Sequence, residues 1–160
     1  MTVASECLAA LAERGWTLGV AESLTGGSVS AALVAVPGAS AVLRGAVVAY
    51  ATPVKHTLLG VDEVLLDAGG PVQPEVARQM AEGVRAAVSV AGRPADVGIA
   101  TTGIAGPDSP DGQPVGTVHV AVATPTSTRS RSFVFRGSRD EIRAQATDAV
   151  LALLDRSARE

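Results

Sequence analysis

The chain has 160 residues and a mass of 16.0 kDa, with 47% hydrophobic and 18% charged residues. That is enough apolar material for one packed domain and too much for a disordered tail. Lysine and arginine number 13 against 16 acidic residues, a net charge of −3, and aromatics are only 2%, so neither phosphate-neutralising patches nor base-stacking platforms are at hand and no nucleic-acid partner is expected.

The first helix is expected to start at an N-cap Ser5, to carry Leu8, Leu11 and Ala12 on one face, and to stop at Gly15. Cys7 is the one cysteine, which excludes an internal disulfide or a thiolate zinc cluster and leaves it as a small apolar residue of that helix. Thr17 to Ala21 reads as a strand running into Glu22-Ser23-Leu24-Thr25-Gly26-Gly27. A second helix follows with Val29, Leu33 and Val36 on one side, and Pro37-Gly38 ends it. Gly45 to Tyr50 is Val-rich without alternation, which predicts a strand buried on both faces. Pro53 opens a short helix carrying Lys55, His56 and Leu59, and Val64 to Asp67 a further short helical piece closed by Gly69-Gly70.

Pro74 suits a first helical position, and Val76, Met80, Val84 and Val88 recur every fourth residue. Asp96 to Thr102 reads as a strand, and Gly103 to Pro114 as a long loop rich in Gly, Pro and Asp. Val115 to Ala123 and Arg129 to Phe135 read as an antiparallel pair joined by residues 124–127. Ser138 and Glu141 form a capping box for the last helix, whose core face takes Ile142, Ala146, Val150 and Leu153. Interspersed helices and strands predict an α/β fold, a three-layer sandwich of a mixed sheet with helices on both faces. No signal peptide or apolar span is evident, since Ala31 to Tyr50 is broken by Pro37, Gly38 and Arg44, so a cytoplasmic location away from membranes is expected.

Ligands in such sheets bind beyond the carboxyl ends of strands. Three polar segments follow predicted strands there: Ser23 to Gly27, Tyr50 to Lys55, and Thr102 to Asp108. Ser23 is either an ordinary helix cap or a nucleophile whose oxyanion is met by N–H groups near Gly26 and Gly27 at a helix N-terminus. A serine needs a base. His56 and His119 sit in no triad context, whereas Lys55 is the only lysine and Tyr50 the only tyrosine. Lys55 is a solvated surface group or, if desolvated, a base, with the Tyr50 hydroxyl able to bridge it to the serine. Thr102-Gly103-Ile104-Ala105-Gly106-Pro107-Asp108 is a glycine-rich turn or a ligand-binding backbone, and is not a Walker loop. Asp108 and Asp111 lack the spacing of a cation site.

Ala21-Glu22-Ser23-Leu24-Thr25-Gly26-Gly27, Tyr50 with Lys55, the segment Thr102 to Asp108, Pro114-Val115-Gly116-Thr117-Val118 and Arg143-Ala144-Gln145-Ala146-Thr147 occur in this order. Together they resemble the C-terminal domain of the competence-damage-inducible CinA family, a domain that also exists as a stand-alone nicotinamide-nucleotide amidohydrolase. The resemblance covers nearly the whole chain, taken as one domain over residues 1–160. It implies deamidation of nicotinamide mononucleotide to nicotinate mononucleotide and ammonia in pyridine-nucleotide recycling. The implied catalytic residues are Ser23 as nucleophile, Lys55 as base, Tyr50 and Thr102. The resemblance also implies that Arg143 belongs to the substrate pocket; Thr25, Gly26, Gly27, Gly103 and Gly106 are further candidate substrate contacts read from their segments, with Arg143 or the Gly103 to Gly106 backbone as alternatives for the substrate phosphate. The expected partner is a small pyridine nucleotide, with no metal and no cofactor. Many relatives have Ser-Asn after the tyrosine, where this chain has Ala51-Thr52. A homo-oligomer is expected, with the Val115 to Phe135 hairpin leaving an exposed edge. The competing reading is a non-catalytic nucleotide-binding or regulatory module of the same fold.

Overall fold

The computed structural model describes all of Met1–Glu160. Six α-helices and five strands follow one another as α1 (Val3–Arg14), β1 (Leu18–Glu22), α2 (Ser28–Val34), β2 (Leu43–Val48), α3 (Thr52–Leu59), α4 (Glu63–Gly69), α5 (Pro74–Ala87), β3 (Val97–Gly103), β4 (Thr117–Ala123), β5 (Thr128–Val134) and α6 (Arg139–Arg159). The sheet has the order β2-β1-β3-β4-β5. β1 is parallel to β2 and β3, while β3–β4 and β4–β5 are antiparallel. Helices α1, α2 and α6 cover one face and α3, α4 and α5 the other, which is the expected three-layer α/β sandwich with a mixed sheet. No helix is long and apolar enough to cross a membrane.

The two faces of the sheet are chemically different because side chains alternate along each strand. Leu18, Val20, Val97, Ile99, Val118, Val120 and Val122 point to α1, α2 and α6 in the larger core. Ala21, Ala100, Ala121 and Ala123 point to α5, with Gly19 and Gly98 continuing that small-residue face. Small residues let α5 sit close: a Cβ at Gly98 would lie 1.9 Å from the carbonyl oxygen of Ala81. The Val76, Met80 and Val84 stripe of α5 is buried against this surface. α6 begins at the predicted capping box, in which Ser138 and Glu141 satisfy each other's backbone N–H groups.

Two expectations need correction. The N-cap of α1 is Thr2, and Ser5 is the third helical residue that completes the box with it. The strand expected at 45–50 spans Leu43–Val48 and is not buried on both faces. It lies at the sheet edge, and its residues alternate between half-buried and exposed. β5 forms the opposite edge, where exposed Arg129 and Arg131 guard against strand addition.

Gly83 shows how tightly α3 and α5 are seated. A glycine inside a helix costs about 1 kcal/mol relative to alanine, so propensity alone favours Gly83→Ala. A Cβ there would lie 1.7 Å from the Leu59 carbonyl oxygen, at the end of α3. Gly83→Ala is therefore expected to destabilise the fold by about 1–3 kcal/mol, the reverse of the propensity effect. Urea unfolding of the variant and the parent gives the sign directly.

Candidate active site

β1, β2 and β3 end on the same side of the sheet, and the segments that follow them meet around a cleft of about 390 Å³, within the range of small-molecule sites. Its lining includes Ser23 and Leu24 after β1, Tyr50, Thr52 and Lys55 after β2, Thr102 to Gly106 at the end of β3, and Arg139 at the start of α6.

Lys55 is the largest fully buried side chain in the protein, 1% exposed. α3 carries it inward, and its Nζ donates to the Ala49 carbonyl at 2.7 Å, the Tyr50 carbonyl at 3.4 Å and Ser23 Oγ at 2.9 Å. Those are three acceptors for the three protons of an ammonium. Burial alone pushes the Lys55 pKa down from 10.5 to about 8, with no charged neighbour contributing. Once neutral, the amine can keep both carbonyls and turn its lone pair to the serine hydroxyl.

Ser23 follows the last strand residue, Glu22, and the chain then turns through Gly26 and Gly27, both at positive φ. The turn is held from three sides. Glu22 is buried, and its carboxylate accepts from the N–H groups of Gly27 (3.1 Å), Val29 (3.0 Å) and Ser30 (3.0 Å) and from Ser30 Oγ (2.5 Å). Thr101 Oγ1 accepts from Ser23 N at 3.4 Å and bonds Thr25 Oγ1 at 2.8 Å. Arg143 donates to the Leu24 and Thr25 carbonyls at 2.8 and 3.2 Å.

These contacts reassign several candidates. Ser23 lies four residues ahead of the Gly27 cap of α2, not at the helix N-terminus. The positive end of that helix is occupied by Glu22. Gly26 N–H donates to Ser23 O and Gly27 N–H to Glu22, so neither is free for an oxyanion. The amides of Leu24, Ala105 and Gly106, all cleft residues, donate to no protein acceptor. Thr25 is fully buried beside Thr101, and Arg143 clamps the turn from behind; neither lines the cleft. The cleft arginine is Arg139, one helical turn earlier. It donates to the Gly106 carbonyl at 2.6 Å and to the Tyr50 hydroxyl at 3.1 Å. Tyr50 is 62% exposed, and its hydroxyl therefore does not bridge Lys55 and Ser23. Thr102 lines the cleft with Gly103 and Gly106, but its hydroxyl donates to the Pro71 carbonyl at 2.7 Å.

Thr101 and Glu22 were not singled out from the sequence, although a charged residue inside the apolar run Leu18–Glu22 is itself a signal. Neither histidine lines the cleft: His56 bonds the Val61 carbonyl and His119 bonds Ser132. Ala51 caps α3 without a side-chain bond, and Thr52 lines the cleft. Cys7 is buried in α1, donates to the Leu151 carbonyl, and is pushed up to about 12, chiefly by burial.

The fold and site define a three-layer α/β domain with a buried serine–lysine pair in a cleft at the strand ends. A family model described as the CinA C-terminal domain matches residues 1–158, and the chain belongs to that family. It is 50% identical to a CinA-like protein of Gloeobacter violaceus over 97% of this chain and 36% of that one. It is 47% identical to a CinA-like protein of Frankia casuarinae over 93% and 33%. The chain thus spans about a third of the length of these curated relatives. Among solved structures it resembles competence damage-inducible protein A of Klebsiella pneumoniae, with 34% identity, a TM-score of 0.88 and coverage of 96% of this chain and 93% of that one. It also resembles a CinA superfamily protein of Enterobacter cloacae, with 29% identity, a TM-score of 0.91 and coverage of 98% and 90%.

The depressed Lys55 pKa makes stability depend on pH. Below about pH 8 both folded and unfolded chains hold the proton, and the fold bears the full cost of burying the charge. Between about 8 and 10.5 the unfolded chain binds more protons, so stability rises with pH. The interval corresponds to about 3 kcal/mol. Denaturant melts across pH 7–10.5 should show this rise in the parent relative to Lys55→Met, in which the lysine contribution is gone.

Proposed function

We propose that the domain is an amidohydrolase that deamidates nicotinamide mononucleotide to nicotinate mononucleotide and ammonia, with Ser23 as nucleophile and Lys55 as base. The observation that carries this reading is the 2.9 Å contact between a buried lysine amine and a serine hydroxyl in a cleft. A hydroxyl is a weak nucleophile until a neighbouring base takes its proton, and a desolvated lysine is such a base near neutral pH.

Neutral Lys55 accepts the Ser23 proton as Oγ attacks the carboxamide carbon, and the C=O π electrons move to the oxygen. Among the cleft's unpaired amides, those of Leu24, Ala105 and Gly106 are the donors this reading assigns to that oxyanion. As the intermediate collapses the C–N bond breaks, and protonated Lys55 gives its proton to the departing nitrogen, which leaves as ammonia. Water then attacks the acyl-serine ester with Lys55 again the base, and the ester bond breaks to return the Ser23 hydroxyl. The direct contact needs no relay through Tyr50 or Thr102. Arg139 is a cation on the cleft wall with no carboxylate within ion-pair distance, which suits the substrate phosphate.

Ammonia release from nicotinamide mononucleotide tests the reading. Ser23→Ala should lower kcat by about 10³-fold or more and Lys55→Met by at least about 10²-fold. Lys55→Arg should fail equally, because a guanidinium does not deprotonate in a protein. In the parent, kcat/KM should rise about tenfold per pH unit up to about pH 8 and then level. A parental rate in Ser23→Ala ends the mechanism. Thermal stabilisation by the nucleotide without any ammonia points instead to a binding module.

Arg139→Gln supplies a separate check on the phosphate contact. It should raise KM for the nucleotide about tenfold or more while leaving the unphosphorylated nucleoside unaffected. An equal effect on both substrates would remove Arg139 from that role.

A further inference from the structure

The sheet has two open edges, and the chain treats them differently. β5 carries the exposed Arg129 and Arg131. β2, at the other edge, has β1 as its only strand neighbour and belongs to a segment almost without charge: from Ser23 to Val54 the one charged residue is Arg44. A chain with 18% charged residues would place several there.

The uncharged edge is also apolar and unpaired. Ala46 and Val48 of β2 are exposed, as is Tyr50 just beyond, and Val34 at the end of α2 is 64% exposed. A shallow groove joins them, running from Val34 through Pro37 to Arg44 and Gly45. In a parallel pair, alternate residues turn both N–H and C=O toward the neighbouring strand. Ala49 donates to the Glu22 carbonyl of β1, so Val48 and Ala46 turn both groups outward, away from every strand. Arg44 is the residue left over by a bulge between β1 and β2, which disrupts the start of the edge and leaves residues 46–48 regular.

Charge and register indicate what covers this edge. An acidic or basic partner would find no complement on a surface whose only charge is one arginine. A second copy presents the same outward amides and carbonyls. With two copies antiparallel about a twofold axis at Val47, Ala46 of one meets Val48 of the other and exchanges both hydrogen bonds with it, twice by symmetry. The same register sets Arg44 opposite Tyr50 of the other copy, so the lone charge meets the one exposed aromatic ring of the chain and not its own like.

We propose that β2 is a dimer interface, at which two copies of the chain pair antiparallel along residues 46–48 into one continuous sheet, with Val34 and Tyr50 flanking the seam. The strand and the adjoining side of α2 outline a patch roughly 25 Å by 20 Å, on the order of 500 Å² per copy. Stable interfaces bury about 600–1,000 Å² on each side, so the dimer is a reversible one. Tyr50 also lines the cleft, which brings the two clefts beside the seam. The pairing does not require the hydrolase reading.

Sedimentation velocity on the full chain, from about 1 to about 200 µM, should show a reversible monomer–dimer equilibrium. The amides of Ala46 and Val48 should gain hydrogen-exchange protection as the concentration rises. Val48→Lys should raise the dissociation constant about tenfold or more. Ala46→Pro should do the same, because it removes an outward N–H and leaves the β1–β2 ladder intact. Val134→Lys, on the β5 edge, should leave the equilibrium unchanged. Circular dichroism confirms that each variant is folded, and Val48→Lys decides the matter if Ala46→Pro is not. A parent that stays monomeric throughout overturns the proposal, and its binding to phosphatidylcholine vesicles would then assign the patch to a membrane. A dimer unaffected by Val48→Lys, or weakened as much by Val134→Lys, also overturns it.

Discussion

The site depends on one unfavourable act, the burial of the only lysine without a carboxylate to hold its charge. An acidic partner within reach would favour the ammonium and hold the proton on. Here the acceptors are two backbone carbonyls and a serine hydroxyl, which satisfy the hydrogens without opposing their loss. Desolvation is then the only influence on the amine and brings its pKa to about 8. The nearest acidic residue in sequence to Ser23 is Glu22, and the alternation of an extended chain sends its carboxylate the other way, into the first turn of α2. One strand end thus presents a hydroxyl to the amine and keeps a carboxylate from it.

The same alternation organises the rest of the sheet. β1, β3 and β4 repeat a large–small pattern, Leu18-Gly19-Val20-Ala21, Val97-Gly98-Ile99-Ala100 and Val120-Ala121-Val122-Ala123. The large residues build the core under α1, α2 and α6. The small ones let α5 approach closely, and α3 in turn is pressed against α5 at Gly83. α3 carries Lys55, so the depth at which the amine sits is set by a stack of close contacts running from sheet to α5 to α3. Van der Waals packing supplies the rigidity that a short ammonium-to-hydroxyl contact needs.

Much of this was legible in the sequence. Each helix and strand was found close to its place, because caps and turns such as Ser138 with Glu141, Pro74 and Gly15 are local signals. The three polar segments do converge, since strand ends are where an α/β sheet leaves room. What escaped depends on direction and on neighbours far along the chain. Thr101 and Thr102 are adjacent and chemically alike, yet one braces the Ser23 turn and the other lines the cleft. Arg139 and Arg143 share one helix, and a single turn separates the cleft cation from the clamp. The edge position of β2 was hidden because strand order is a property of the whole sheet, and a Val-rich run reads alike at its centre and its rim.

The location of Glu22 also limits how charge can be met in the cleft. A helix N-terminus offers its dipole and free amides to one anion at a time. The chain commits those of α2 to its own carboxylate, which locks the turn behind Ser23. A developing negative charge in front of Ser23 must then be met by other donors. Among the unpaired amides of the cleft, those of Leu24 after β1 and of Ala105 with Gly106 after β3 lie on two separate segments. Arg143 and Thr101 brace the first, and Arg139 holds the second through the Gly106 carbonyl. The two arginines of α6 therefore brace the two walls from one rigid element, which couples the spacing between those amides to the position of a single helix.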